Sequence, residues 1–168
     1  SGTKGLLRTQ LLSNGHHMLP SQQTDKPSDC LDFTPTTKCF HAGDDRVNQN
    51  PSLMSMQTLF VREHNRIATI LAKLNPSWDD ETVFQETRRI IIATIQHITY
   101  SEYLPVLLGQ RNMQRFSLQP QTGFNFFTLY NNTIDPRIAN EYSAAAGRFG
   151  HSTIRSEYSR VNSNFTTA

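Results

Sequence analysis

From Pro51 onward, apolar residues return at three- and four-residue steps: Leu53, Met56, Leu59, Phe60, Ile67, Ile70, Leu71 and Leu74. That spacing predicts an amphipathic helix ended by Asn75-Pro76, with Arg62, Glu63, Asn65 and Arg66 on its other side. A second helix is expected after Asp79 or Asp80, whose carboxylates can cap the free amides of a first turn. It runs through Val83, Phe84, Ile90, Ile91 and Ile98 toward Leu104, where Pro105 kinks or ends it and Gly109 closes the segment.

Elsewhere the pattern is weaker. Residues 1–50 read as mostly irregular, because Gly, Ser, Pro and Thr recur and the only apolar run is Leu6 with Leu7, then Leu11 and Leu12. Residues 110–132 are aromatic but irregular. Asp135-Pro136 offers an N-cap followed by a first-turn proline, predicting a third helix from Ile138 through His151. The expected class is therefore all-α, mainly helical, with a long irregular N-terminal segment.

Composition changes this picture in one respect. With 168 residues the chain is long enough for one core, yet its apolar share is 36%. A mean hydropathy of −0.51 also lies on the polar side. Both suit a piece whose apolar faces are completed by segments outside it. The balance of 16 basic and 14 acidic residues, net +2, concentrates no positive field, so nucleic acid is not an indicated partner. Ile90 to Ile95 is far short of the roughly 18 apolar residues that span a bilayer, so no transmembrane segment is expected.

Cys30 and Cys39 are the only cysteines, nine positions apart in a Pro/Thr-rich stretch without Cys-x-x-Cys spacing. A local disulfide, and with it an oxidising compartment, is the favoured reading; two unrelated reduced thiols is the other. Two acceptor triplets, Asn131-Asn132-Thr133 and Asn164-Phe165-Thr166, would permit N-glycans in a secreted protein.

Four blocks, in order, carry a resemblance: CFHAGDDRVNQNPSLMSMQTLFVREHNRIATILAKLNPSW (Cys39 to Trp78), QETRRIIIATIQHITYSEYLPVLLG (Gln85 to Gly109), DPRIANEYSAAAGRFGH (Asp135 to His151) and Ser152 to Ile154. The chain resembles the animal haem peroxidases. What the resemblance implies is the central part of one such domain: residues 1–50 mostly loop with an Arg46 motif, 51–109 two long helices, 110–134 irregular, and 135–154 a helix carrying the proximal histidine. His151 would be the axial ligand of the iron of haem b, with Gly150 leaving room for a flat macrocycle. Taken alone, a histidine near a helix C-terminus is more often a cap favoured by the dipole.

Arg46, in the AGD-x-R motif, would stabilise the negative charge that develops as peroxide is cleaved. Without the resemblance, an arginine after two aspartates reads as a solvated ion pair of little worth. Gln49 stands where the family usually carries a glutamate esterified to haem, and Asn50 where some members carry a methionine bonded to the haem edge. Neither side chain can form those bonds, so both are candidate haem-edge contacts with weaker covalent attachment.

Gly147 replaces a common phenylalanine and is expected to open space or loosen the helix. His64 and His97 are expected to make hydrogen bonds between helices. The family's distal histidine and calcium loop would precede this segment, and the asparagine that orients the proximal imidazole would follow it. Calcium is therefore expected only in the longer protein, and these 168 residues alone should not catalyse peroxidation at a normal rate.

The expected function is that of a secreted, extracellular haem peroxidase acting on hydrogen peroxide and a phenolic, halide or similar small electron donor. The alternative is a catalytically weakened peroxidase-like protein with extracellular matrix or adhesion partners.

Overall fold

The computed structural model describes residues 3–21, 39–123, 128, 130–159 and 161–166. The chain divides into two units, residues 1–120 and 121–168.

The first unit is built on two helices, α1 (Pro51–Leu74) and α2 (Asp80–Ile98), which pack against each other. Their ends are set by local chemistry. Asn50 caps α1 through its side-chain oxygen on the Ser52 N–H at 2.7 Å, Pro51 occupies the first turn, and Asn75 closes it with an N–H to Leu71 O at 2.9 Å. Asp79 caps α2, accepting from the Thr82 N–H at 2.8 Å.

After Ile98 the chain widens into a π turn, Thr99–Tyr103, before α3 (Leu104–Leu108). Pro105 has no N–H to continue the ladder, and the Thr99 and Ser101 hydroxyls return to the carbonyls of Ile95 and His97 at 2.8 and 2.6 Å. Gly109, at φ +75°, ends α3 as expected. A fourth helix then follows where irregular chain is predicted: α4 (Gln110–Arg115), whose Met113 is fully buried.

Residues 1–50 contain more order than their composition suggests. Strands β1 (Gln10–Leu11) and β2 (His17–Met18) pair antiparallel around a tight turn whose Gly15 lies at φ +80°. The preceding residues form a strap laid on the two helices. Gly5 N–H donates to Asp80 Oδ1 at 2.7 Å, and Gly5 O accepts from His64 Nε2 at 2.9 Å. Asn65 clamps both backbone groups of Leu7, at 2.7 and 3.0 Å, as a neighbouring strand would. Gly5 is at φ +72°, and a Cβ there would lie 2.6 Å from Phe84 N.

Burial departs from the apolar periodicity. The buried positions of α1 are Thr58, His64 and Ala68, and those of α2 are Val83 and Thr87. Leu53, Met56, Leu59, Ile70 and Leu74 of α1 and Ile90, Ile92, Ile95 and Ile98 of α2 are exposed, as is Val106 of α3. The two helices thus carry more apolar surface than the described elements cover. The histidine expectations also shift: His64 bonds the strap rather than another helix and lies beside Phe84 with ring centroids 5.5 Å apart, while His97 is exposed.

In the second unit, none of the described residues is buried. It holds α5 (Asn140–Ala144) and a 3-10 segment, Ala146–Thr153.

Candidate functional site

Arg46 sits in a single 3-10 turn, Asp45–Asn48, immediately before α1. Two anchors hold that turn. Val47 is buried at 1% exposure, and Asn48 clamps the Phe40 N–H and C=O, both at 2.9 Å. Cys39, the residue before Phe40, is buried and disulfide-bonded; its expected partner Cys30 lies outside the described residues.

The turn presents Arg46 outward, with its side chain 65% exposed. Asp44 accepts from Arg46 Nε at 3.0 Å, Nη2 at 3.2 Å and the Arg46 N–H at 3.0 Å. The hydrogen bonds from this guanidinium hold the Asp44 carboxyl below the usual carboxylate range, and Asp44 in turn raises Arg46. One edge of the guanidinium is fixed by Asp44, leaving Nη1 for an oxygen of a ligand. Gln49 is exposed, and Asn50 is committed through Oδ1 to capping α1.

His151 lies in the second unit, and the continuous helix expected from Ile138 through His151 is not formed. The Asp135 carboxylate, expected as its N-cap, turns back onto the Arg137 N–H and guanidinium, and α5 begins only at Asn140. At Ala145 (φ −133°, ψ −69°) the α-helix stops. Gly147 is packed rather than opening space: a Cβ there would lie 2.9 Å from Tyr142 Cε1 and 3.0 Å from Tyr142 O. The tighter register beyond it is secured by Arg148 Nε on Ser143 O at 2.9 Å and by hydroxyls reaching back three residues, Ser152 to Phe149 O and Thr153 to Gly150 O.

The His151 ring is exposed, with Nδ1 2.9 Å from Arg148 O. A carbonyl oxygen can only accept, so Nδ1 carries the proton and the neutral ring keeps its Nε2 lone pair for a metal. A Cβ at Gly150 would meet no atom within 4 Å, leaving the approach beside His151 open. These residues fit an axial haem ligand.

Asn131 and Asn164 are both exposed. Asn131 Oδ1 accepts from the Thr133 N–H and hydroxyl at 2.9 and 2.7 Å, whereas the Thr166 hydroxyl accepts from Asn162 at 2.6 Å.

The family model described as animal haem peroxidase matches residues 1–168. The chain belongs to the animal haem peroxidase family. It is 45% identical over 158 residues to chorion peroxidase of Drosophila melanogaster, covering 90% of this chain and 18% of that protein. It is 40% identical over 160 residues to myeloperoxidase of Mus musculus, 95% of this chain and 21% of that one. Among solved structures, peroxidase A of Dictyostelium discoideum superposes with a TM-score of 0.74 at 34% identity, over 99% of this chain and 30% of that chain.

The chain therefore spans about a fifth of these curated relatives, and its all-α class is that of a peroxidase domain. Among the described residues, no three His, Cys, Asp or Glu side chains cluster to hold a bare metal ion, and no helix is long and apolar enough to cross a membrane. The feature of this peroxidase segment that sequence reasoning missed is the strap. Its signal was His64, which falls on the same helical face as Phe60, Ala68 and Leu71 and so reads as buried.

Proposed function

We propose that the longer protein containing this chain is a secreted haem peroxidase, reducing hydrogen peroxide and oxidising a phenolic, halide or similar donor, with this chain as the central part of its catalytic domain. The observation that carries the reading is the His151 ring, held by Arg148 O so that Nε2 is free, in a chain matched throughout by the family model. His151 would hold the iron of haem b, which when bound supplies the redox chemistry. Arg46 stays charged at any working pH and offers Nη1 to the oxygen that gains negative charge as the O–O bond breaks, while Asp44 keeps the guanidinium from swinging away.

Gln49 and Asn50 would border the haem edge without an ester or sulfur link, so the haem should leave in acidified organic solvent. Calcium belongs to a loop outside this chain. A Cys30–Cys39 disulfide and glycans at Asn131 and Asn164 would suit an oxidising, extracellular location, which the disulfide at Cys39 supports.

The second reading is a catalytically weakened matrix or adhesion protein, favoured by Gln49 and by the broken helix before His151. The absorption spectrum of the full-length protein separates the two. A Soret band that collapses or shifts in His151→Ala is the expected result; a native protein without haem absorption would sink the enzyme reading.

A further inference from the structure

On the strap side of α1 lies an open cleft of about 740 Å³, within the size range of small-molecule sites. Its basic lining comes from Arg8, His16 and His17 of the strap and hairpin and from Arg62 and Arg66 of α1, and among the described residues no carboxylate lines it. The three arginines are not equivalent. Arg66 is neutralised by Glu63 through two bonds of 2.7 and 2.8 Å. Arg62 is held by neutral groups alone, with Nε on His17 O at 2.6 Å and Nη2 on Met18 Sδ at 3.3 Å. Its charge is therefore uncompensated, and its outer Nη edge remains available for a two-pronged acceptor. Arg8 is exposed and has no hydrogen bond or ion pair among the described residues. Half-buried Leu6 and Leu7 supply an apolar wall.

We infer that this cleft is a carboxylate-binding site: a planar carboxylate forks onto Arg62 and Arg8 while its hydrocarbon body lies on Leu6 and Leu7. Guanidinium edges match carboxylate geometry, and the leucine wall favours an organic anion over inorganic phosphate. The carboxylate can come from a diffusible aromatic or aliphatic acid, or from an acidic side chain of the longer polypeptide. The chemistry is the same in both cases and involves neither Arg46 nor His151.

The test is titration of the full-length protein with benzoate, followed by ligand-observed NMR, on wild type and Arg8→Gln. Arg8 holds nothing else in the fold, so its loss should leave folding intact. For a diffusible ligand, benzoate binds and Arg8→Gln weakens it about tenfold, the worth of one charge-assisted hydrogen bond, with Arg8→Lys between. For an acidic side chain of the protein itself, benzoate is excluded, while Arg8→Gln lowers the melting temperature by a few degrees and Arg8→Lys restores part. The inference is overturned if benzoate binds both proteins equally, if equimolar phosphate displaces it, or if benzoate fails to bind and Arg8→Gln melts with wild type. None of these readouts depends on haem.

Discussion

Residues 1–120 and 121–168 are held by different kinds of interaction. The first unit buries Leu19, Val47, Ala68, Val83 and Met113 and ties positions 58 to 75 residues apart with strap hydrogen bonds. In the second, none of the described residues is buried, and its hydrogen bonds are short-range, as in the Asp135–Arg137 turn, the Asn131–Thr133 turn and the back-bonded hydroxyls of residues 152 and 153. Among the described residues, the segment carrying the candidate iron ligand therefore has local order and no buried position.

Two glycine substitutions sharpen this contrast most. Gly5→Ala should cost roughly 2–4 kcal/mol of full-length stability in denaturant melts, because the new methyl meets Phe84 N and Val83 Cγ1 at under 3 Å and the backbone is left-handed there. Gly147→Ala also places a methyl under 3 Å from the edge of the exposed Tyr142 ring, which can swing aside, and 3.0 Å from Tyr142 O, from which a shift of a few tenths of an ångström in this exposed segment relieves it. It should change the same melts by less than about 0.5 kcal/mol. Equal costs would mean the second unit is as tightly determined as the first.

Between those extremes, His64→Leu keeps the volume beside Phe84 but leaves Gly5 O without its donor, a loss of about 1–3 kcal/mol by the same melts. Asn50→Ala removes the cap of α1 and should cost about 1 kcal/mol. If Asn50→Ala instead left stability untouched and altered the haem spectrum, its main role would be at the cofactor.

The smallest effect is acid-dependent and present in both units. The side-chain bonds from Arg46 and Arg137, followed by their backbone N–H groups, hold Asp44 and Asp135 below the usual carboxylate range. A depressed native pKa contributes stability above the ordinary carboxylate value of about 4, and that contribution is lost as pH falls through the lowered value. Both pairs are exposed, so the loss should be slight and should shrink further at high salt. Asp44→Asn should remove its share of the acid dependence in melts run at pH 3 against pH 6, both values flanking about 4.

How much of this was legible in the sequence follows the same division. Although α2 was expected to run toward Leu104 and gives way to the π turn after Ile98, both ends of α1 and the start of α2 were readable because Pro51, Asn75 and Asp79 act within a few residues of themselves. Which faces they bury was not, because the covering strap arrives from positions 58 to 75 residues away and uses Asn65 and His64 rather than leucines. The third helix misread had a competing local cause: Arg137 captures the carboxylate expected to cap it, and Tyr142 occupies the space beside Gly147. For the candidate site, the solvated pairing of Arg46 with an aspartate was readable from the residues alone. His151 stood out only through the resemblance, since nothing in its spacing distinguishes a ligand from a capping histidine.

The double clamp of Asn65 on Leu7 has a bearing on how this part of the family can change length. A side chain that pairs with both backbone groups of one residue recognises a single position along the strap, much as one tooth engages a rack. An insertion between Gly5 and Leu7 would force a choice between the Asp80 and Asn65 attachments. An added residue in the exposed turn at Gly15 would be absorbed without disturbing either attachment. Length variation among homologues should therefore gather beyond Leu12 and spare the first few residues of the strap.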